Sequence, residues 1–287
     1  MAEIVCIHGI AQQLKGENTL AQDWKPALLD GLTLAGYEGK EPSIAFASYG
    51  DLFRKPGTMA VQPLPLTSDG VMDPIEEELV LSWWRESSRT DRNVMPPDAA
   101  TMVRTPLLAQ RALNALSSAR FFAGMTQQLI RLFANQVHLY LHDMKLRTAV
   151  RNRMAAQISK DTRVLVGHSL GSVVAYECLC LNPNWPVHTF VSLGSPLGVP
   201  KVIFDQLEPS PVDGVGVWPA GLVRWTNMAD KGDVVALVKN LSSCFGERVR
   251  DLLVNNEVNA HDVRPYLTAG ETGRAIAEGL VENAETK

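Results

Sequence analysis

The chain has 287 residues, 46% of them hydrophobic and 20% charged, an ordinary globular composition with enough length to bury one substantial core. A formal net charge of −4 and a pI near 5.9 supply no overall field for holding nucleic acid, and no zinc-finger or RNA-binding signature accompanies them. Nucleic acid is excluded as an expected partner.

In chain order, Met-Ala-Glu passes directly into Ile4-Val5-Cys6-Ile7 without a basic n-region or a long apolar h-region, which predicts a cytoplasmic chain. Runs rich in β-branched residues predict strands at 3–7, 43–48, 163–166, 188–193 and 222–227, with a further candidate at 251–254. Between the first two, Leu20, Trp24, Leu28 and Leu32 recur every four residues, predicting a helix with Asn18 as N-cap and Gly36 as its stop. Strands apolar on both faces alternating with helices predict an α/β fold, a mostly parallel central sheet flanked by helices in one domain spanning 1–287.

The alternation breaks over about 51–145, where a Pro/Gly-containing loop at 55–73 is followed by helical stretches with no obvious strand. This predicts a mainly helical insertion, a cap or lid. Residues 101–160 carry Arg104, Arg111, Arg120, Arg131, Lys145, Arg147, Arg151, Arg153 and Lys160 against one acid, Asp143, leaving 18 basic and 30 acidic residues elsewhere. Apolar residues including Leu107, Leu108, Leu113, Leu116, Phe121, Phe122, Leu129, Ile130, Leu132 and Phe133 are interleaved with them. The plain reading is a helical pair with a buried stripe and a solvated basic face. The sharper one is a lid meeting an anionic lipid or other acidic acyl substrate, with peripheral membrane contact. Trp83-Trp84 reads as packing ahead of substrate contact, and His138 and His142 lack an accompanying carboxylate motif, so no metal is assigned. The longest apolar stretch, 164–181, is broken by Gly167, His168, Gly171 and Glu177 and does not read as a membrane span. Cys6, Cys178, Cys180 and Cys244 lack zinc-ligand spacing and read as free thiols.

The decisive stretch is 163–176, where an apolar strand runs into Gly167-His168-Ser169-Leu170-Gly171 and an apolar helix runs out. Serine at such a strand-to-helix turn is presented at the strand's C-terminal end as a nucleophile, and the flanking glycines let the backbone bend. A serine hydroxyl is weak at neutral pH and needs a histidine to take its proton and a carboxylate to orient that histidine.

On this elbow the chain resembles the α/β-hydrolase superfamily, and within it the lipase-like serine hydrolases that carry Gly-His-Ser-Leu-Gly. The resemblance implies the fold and an acyl-enzyme reaction, not the substrate. It also implies the chain order Ser, acid, His. His8, His138, His142 and His168 precede Ser169, and His188 opens the next strand, so the base falls on His261. The acid is expected in 224–235, where Asp233, in an Asp-x-Val-like turn with Val234-Val235, is favoured over Asp230, with Asp205 a more distant alternative. The oxyanion donors are the amide of Leu170 and, by the resemblance of His8-Gly9 to the superfamily's oxyanion loop, that of Ile10, with Ala11 as the fallback and His8 as a loop stabiliser. The loop Gly194-Ser195-Pro196-Leu197-Gly198 is expected beside the site, serving its shape.

The expected activity is hydrolysis of a carboxylic ester of a lipid or other small acyl substrate, without cofactor or metal. A thioesterase or acyltransferase would use the same triad, and a non-catalytic binding module is the alternative of a different class. The sequence sets no oligomeric state.

Overall fold

The computed structural model describes residues 1–54, 72–97, 106–119, 122, 126–257 and 260–281, with only the backbone of 106 and 107. Most of the expected 55–73 loop, Arg104, Arg120, Phe121 and the Leu107 side chain lie outside the described residues.

Six strands, β1 (Ile4–Ile7), β2 (Ile44–Ala47), β3 (Val164–His168), β4 (Thr189–Leu193), β5 (Arg224–Asp230) and β6 (Val249–Val254), form one sheet in the order β2-β1-β3-β4-β5-β6. Every neighbouring pair is parallel. Alternate strand residues feed two cores. Ile4, Cys6, Val164, Val166, Val191 and Met228 pack under α1 (Glu17–Leu34), α8 (Val263–Thr268) and α9 (Gly270–Val281). Val5, Ile7, Leu165, Phe190 and Trp225 face the opposite core, with α2 (Pro74–Thr90), α3 (Pro106–Ser117), α4 (Gln127–His142), α5 (Met144–Ala155), α6 (Leu170–Leu181) and α7 (Ser242–Phe245). The α/β class and the parallel sheet stand as expected, because strands apolar on both faces require cover on both.

One boundary is corrected. Asn18 is not the N-cap of α1: extended Gly16 holds that position, its carbonyl accepts from Leu20, and Asn18 lies inside the first turn. Glu17 opens the helix instead, its carboxylate suited to the positive end of the helix dipole. The helix ends as expected at Gly36, with Tyr37 N–H closing back on the Leu32 carbonyl at 3.0 Å.

Between β2 and β3 the described residues hold helices and a 3₁₀ turn, and no strand. Asp73 and Glu76 form a capping box with Pro74 at the start of α2. Asp73 meets His138 at 3.4 Å and Glu76 accepts from Asn135 at 2.7 Å, so α2 and α4 run antiparallel. Trp83 and Trp84 are buried, the first against Phe122, the second donating to the Met95 carbonyl, which is the packing role expected of them.

Two of the cations assigned to a basic face point inward. Glu177 of α6, fully buried, receives Arg147, Arg151 at 2.6 Å, the Tyr140 hydroxyl at 2.6 Å and the Glu208 N–H at 3.1 Å. Glu208 in turn accepts from Arg151 at 2.7 Å. Removing Glu177 would leave two buried guanidinium groups sharing partly exposed Glu208, so Glu177→Ala is expected to lower unfolding free energy by about 3 kcal/mol in urea titration. A loss below about 1 kcal/mol would show that the cluster does not fasten α5 to α6.

All four cysteines carry free thiols, with burial pushing those of Cys178 and Cys180 up to about 12. Among the described residues no helix is long and apolar enough to cross a membrane.

Candidate active site

Strand order reverses between β1 and β3, since β2 lies on one side of β1 and all later strands on the other. In open parallel sheets the crevice at the carboxyl ends of the strands flanking such a reversal is where ligands bind. Ser169 follows β3 at that point. The register pairs Ile7 with Gly167 and His168 with Leu193, and continuing it by one or two residues sets Gly9, Ser169 and Gly194 in one row. The row is tight: a Cβ on Gly9 would stand 2.6 Å from that of Ser169, and the Ser169 N–H donates to the Leu193 carbonyl at 3.0 Å.

Ser169 itself has φ 53° and ψ −131°, a strained setting for a residue with a side chain, and it caps α6. The glycine two residues on is required by close approach, because a Cβ on Gly171 would meet the carbonyl oxygens of Ile7 and His8 at 2.4 Å. Leu170 therefore begins a helix whose first turn is pressed against the end of β1. Ser172 Oγ donates to the Ser169 carbonyl at 2.6 Å and is itself bonded to Ser195 Oγ at 2.7 Å, which ties the loop after β4 to the elbow.

Asp233 and His261 meet. His261 Nδ1 lies 2.7 Å from Asp233 Oδ2, and since the carboxylate accepts, the ring proton sits on Nδ1 and the lone pair of the neutral ring on Nε2. Asp233 is fully buried between β5 and α8: Val235 N–H donates to Oδ1 at 2.9 Å, and Tyr266 Oη donates to Oδ2 at 2.9 Å. Burial raises this carboxyl's pKa, but His261, the Lys239 ammonium and the Tyr266 hydroxyl outweigh it and hold the group below the usual carboxylate range. Lys239 Nζ donates to the Asp233 carbonyl. Gly194, at φ 53°, borders the pair: a Cβ there would lie 2.7 Å from Asp233 Oδ2 and 3.0 Å from His261 Nδ1.

The competing acids are placed elsewhere. Asp230 accepts the N–H groups of Gly232 and Asn256, both at 2.6 Å, and so joins the end of β5 to the loop after β6. Asp205 accepts from Lys201 N–H at 2.7 Å in the loop after β4.

The two histidines beside the elbow are structural. His8 Nε2 accepts the Tyr49 N–H at 3.1 Å and Nδ1 donates to the Gly9 carbonyl at 2.6 Å, while burial pushes its pKa down to about 4. His168 Nε2 donates to the His261 carbonyl at 2.9 Å, with the two rings 4.6 Å apart. Burial, reinforced by the His261 charge, lowers His168 to about 3. An unfolded chain binds a proton on this ring below 6.5 that the folded one refuses until about 3, so stability falls as pH drops through that window. Between pH 7 and pH 4 His168 is expected to remove about 3 kcal/mol of unfolding free energy. His168→Gln should narrow the difference between urea titrations at the two pH values by that amount; an unchanged difference would refute it.

The expected oxyanion donors Ile10 and Leu170 lie on the two loops that flank Ser169, after β1 and at the start of α6. Ala11, the fallback, is engaged: its N–H donates to Gln136 Oε1 at 3.0 Å. His138 and His142 sit with ring centroids 4.8 Å apart, and among the described residues no group of three or more metal-ligating side chains is assembled. Comparison with protein families, with curated proteins and with solved structures finds no match.

Proposed function

We propose that the protein is a serine hydrolase of the α/β-hydrolase type that cleaves a carboxylic ester through an acyl-enzyme, with the helical segment α2–α4 as a cap. The observation that carries this reading is the 2.7 Å bond from His261 to buried Asp233, beside a serine held at positive φ at the reversal point of the sheet. The order Ser169, Asp233, His261 follows the strand ends β3, β5 and β6, as the superfamily resemblance requires.

In this mechanism Ser169 Oγ attacks the acyl carbon while His261 Nε2 takes its proton. Charge developing on the carbonyl oxygen is met by the N–H groups of Ile10 and Leu170, each worth on the order of 3 kcal/mol in such sites. Collapse of the adduct breaks the ester C–O bond, and His261 returns the proton to the departing alcohol. Water then repeats the sequence on the acyl-enzyme, releasing the acid and restoring Ser169. Asp233 stabilises the transient imidazolium, and His168, neutral at working pH, lies tilted beside that ring without opposing its charge. No cofactor or metal enters these steps.

The substrate class rests on this chemistry alone. Arg147 and Arg151 serve buried Glu177, and Arg153 pairs with Asp51 at 3.3 Å on the surface, so three of the cations behind the membrane-lid reading already have partners. Of the other described cations in that stretch Arg131 is half-buried, and Arg111, Lys145 and Lys160 are exposed, a weaker basis for contact with anionic lipid.

The test is hydrolysis of p-nitrophenyl esters of increasing acyl length, with fluorophosphonate labelling in parallel. Turnover with a chain-length optimum and labelling at a single serine are expected. Folded wild-type protein that gives neither would favour a binding module on the same fold.

A further inference from the structure

The helical segment touches the loop after β1 through a buried amide. Gln136 of α4 is 1% exposed and lies 125 residues from Ala11, whose N–H its Oε1 accepts at 3.0 Å. A backbone N–H only donates, so the atom facing Ala11 is the amide oxygen, and Nε2 is left buried without a hydrogen-bond partner among the described residues. A glutamine in this state is a poor packing residue, since leucine or methionine would fill the space with no unpaired donor. Ala11 meanwhile holds φ 61°, a conformation alanine keeps only where its surroundings impose it. A second restraint comes from Gln12, whose Nε2 donates to the Ile10 carbonyl at 3.4 Å.

The N–H that Gln136 holds belongs to the peptide after Ile10, so fixing it narrows the directions in which Ile10 aims its own N–H. Gly9, one residue earlier, already lies against Ser169. We infer that Gln136 is a positioning residue for the oxyanion loop, which makes the helical segment part of the catalytic machinery as well as a cover. The inference rests on the hydrolase reading, in which Ile10 is an oxyanion donor.

Two variants separate the role from mere packing. Q136M fills the same volume without the acceptor; Q136E keeps an acceptor oxygen. Hydrogen exchange of the peptide covering 8–16 reads the loop without any need for turnover. It should quicken roughly tenfold in Q136M and stay near wild type in Q136E, with residues 4–7 of β1 unaffected. For p-nitrophenyl butyrate, Q136M should lower kcat roughly 10- to 100-fold with KM changed less than about threefold, and weaken binding of a trifluoromethyl ketone by the same factor as kcat. Q136E should recover kcat to within about fivefold of wild type. Unchanged exchange in Q136M, or an unchanged kcat, overturns the role while leaving an active wild type intact. Wild-type protein that neither turns over nor labels sinks the hydrolase reading and this role with it.

Discussion

Ser169→Ala is expected to lower ester turnover by at least about 10⁴-fold and to abolish fluorophosphonate labelling, with the melting temperature within about 2 °C of wild type. The size of the effect follows from the lack of a substitute. Ser172 Oγ donates its proton to the Ser169 carbonyl and therefore accepts the one from Ser195, whose oxygen also receives the Leu197 N–H at 3.3 Å. Both hydroxyls are thus engaged in holding the elbow, and both are buried. The variant should fold, because φ 53° strains alanine no more than serine and the Ser169 side chain supplies no cap to α6. Turnover and labelling should vanish together. Labelling that persists in the variant would mean a different nucleophile and would sink the assignment.

Much of this arrangement could be read from local sequence, and the reason is physical. Strands such as 164–168 and 189–193 are buried on both faces, so they appear as short runs dominated by apolar residues, Val-Leu-Val in the first and Phe-Val with Leu193 in the second. The candidate nucleophile announces itself because a strand, a sharp turn and a helix must be contiguous in the chain. The chain order implied by the superfamily resemblance then pointed to one histidine of six. What could not be read was made by contacts between distant segments. Gln136 and Ala11 are 125 residues apart, and nothing in an amphipathic helix distinguishes the glutamine that turns inward. Nothing in the local sequence marks Tyr266, yet it accepts the Asp230 N–H and donates to Asp233, joining the two competing aspartates. Arg147 and Arg151 read as surface charge because their partner Glu177 lies 30 and 26 residues away, on the helix that Ser169 caps. The loop at 194–198 was read as shape alone. Its glycine, Gly194, lies directly against Asp233 and His261.

The choice between Asp233 and Asp230 can be settled by the same substitution at each. In Asp233→Asn the N–H groups of Val235 and Ala236 still donate to one side of the group, which fixes the amide oxygen there. The NH₂ must then face His261 Nδ1 and the Tyr266 hydroxyl in place of the Oδ2 acceptor. A donor at that position drives the ring proton from Nδ1 to Nε2, and the base is lost while the geometry survives. The expected fall in kcat is about 10⁴-fold with little change in KM. In Asp230→Asn one oxygen remains to accept from either Gly232 or Asn256, and the other N–H is left facing an NH₂. That costs about 1–3 kcal/mol of stability but does not touch the His261 tautomer, so kcat should stay within about tenfold of wild type. Comparing kcat and urea midpoints for the two variants reads both effects at once. A 10⁴-fold loss in the folded Asp230 variant, with Asp233→Asn near wild type, would transfer the orienting role to Asp230 and require the loop after β5 to rearrange when substrate binds.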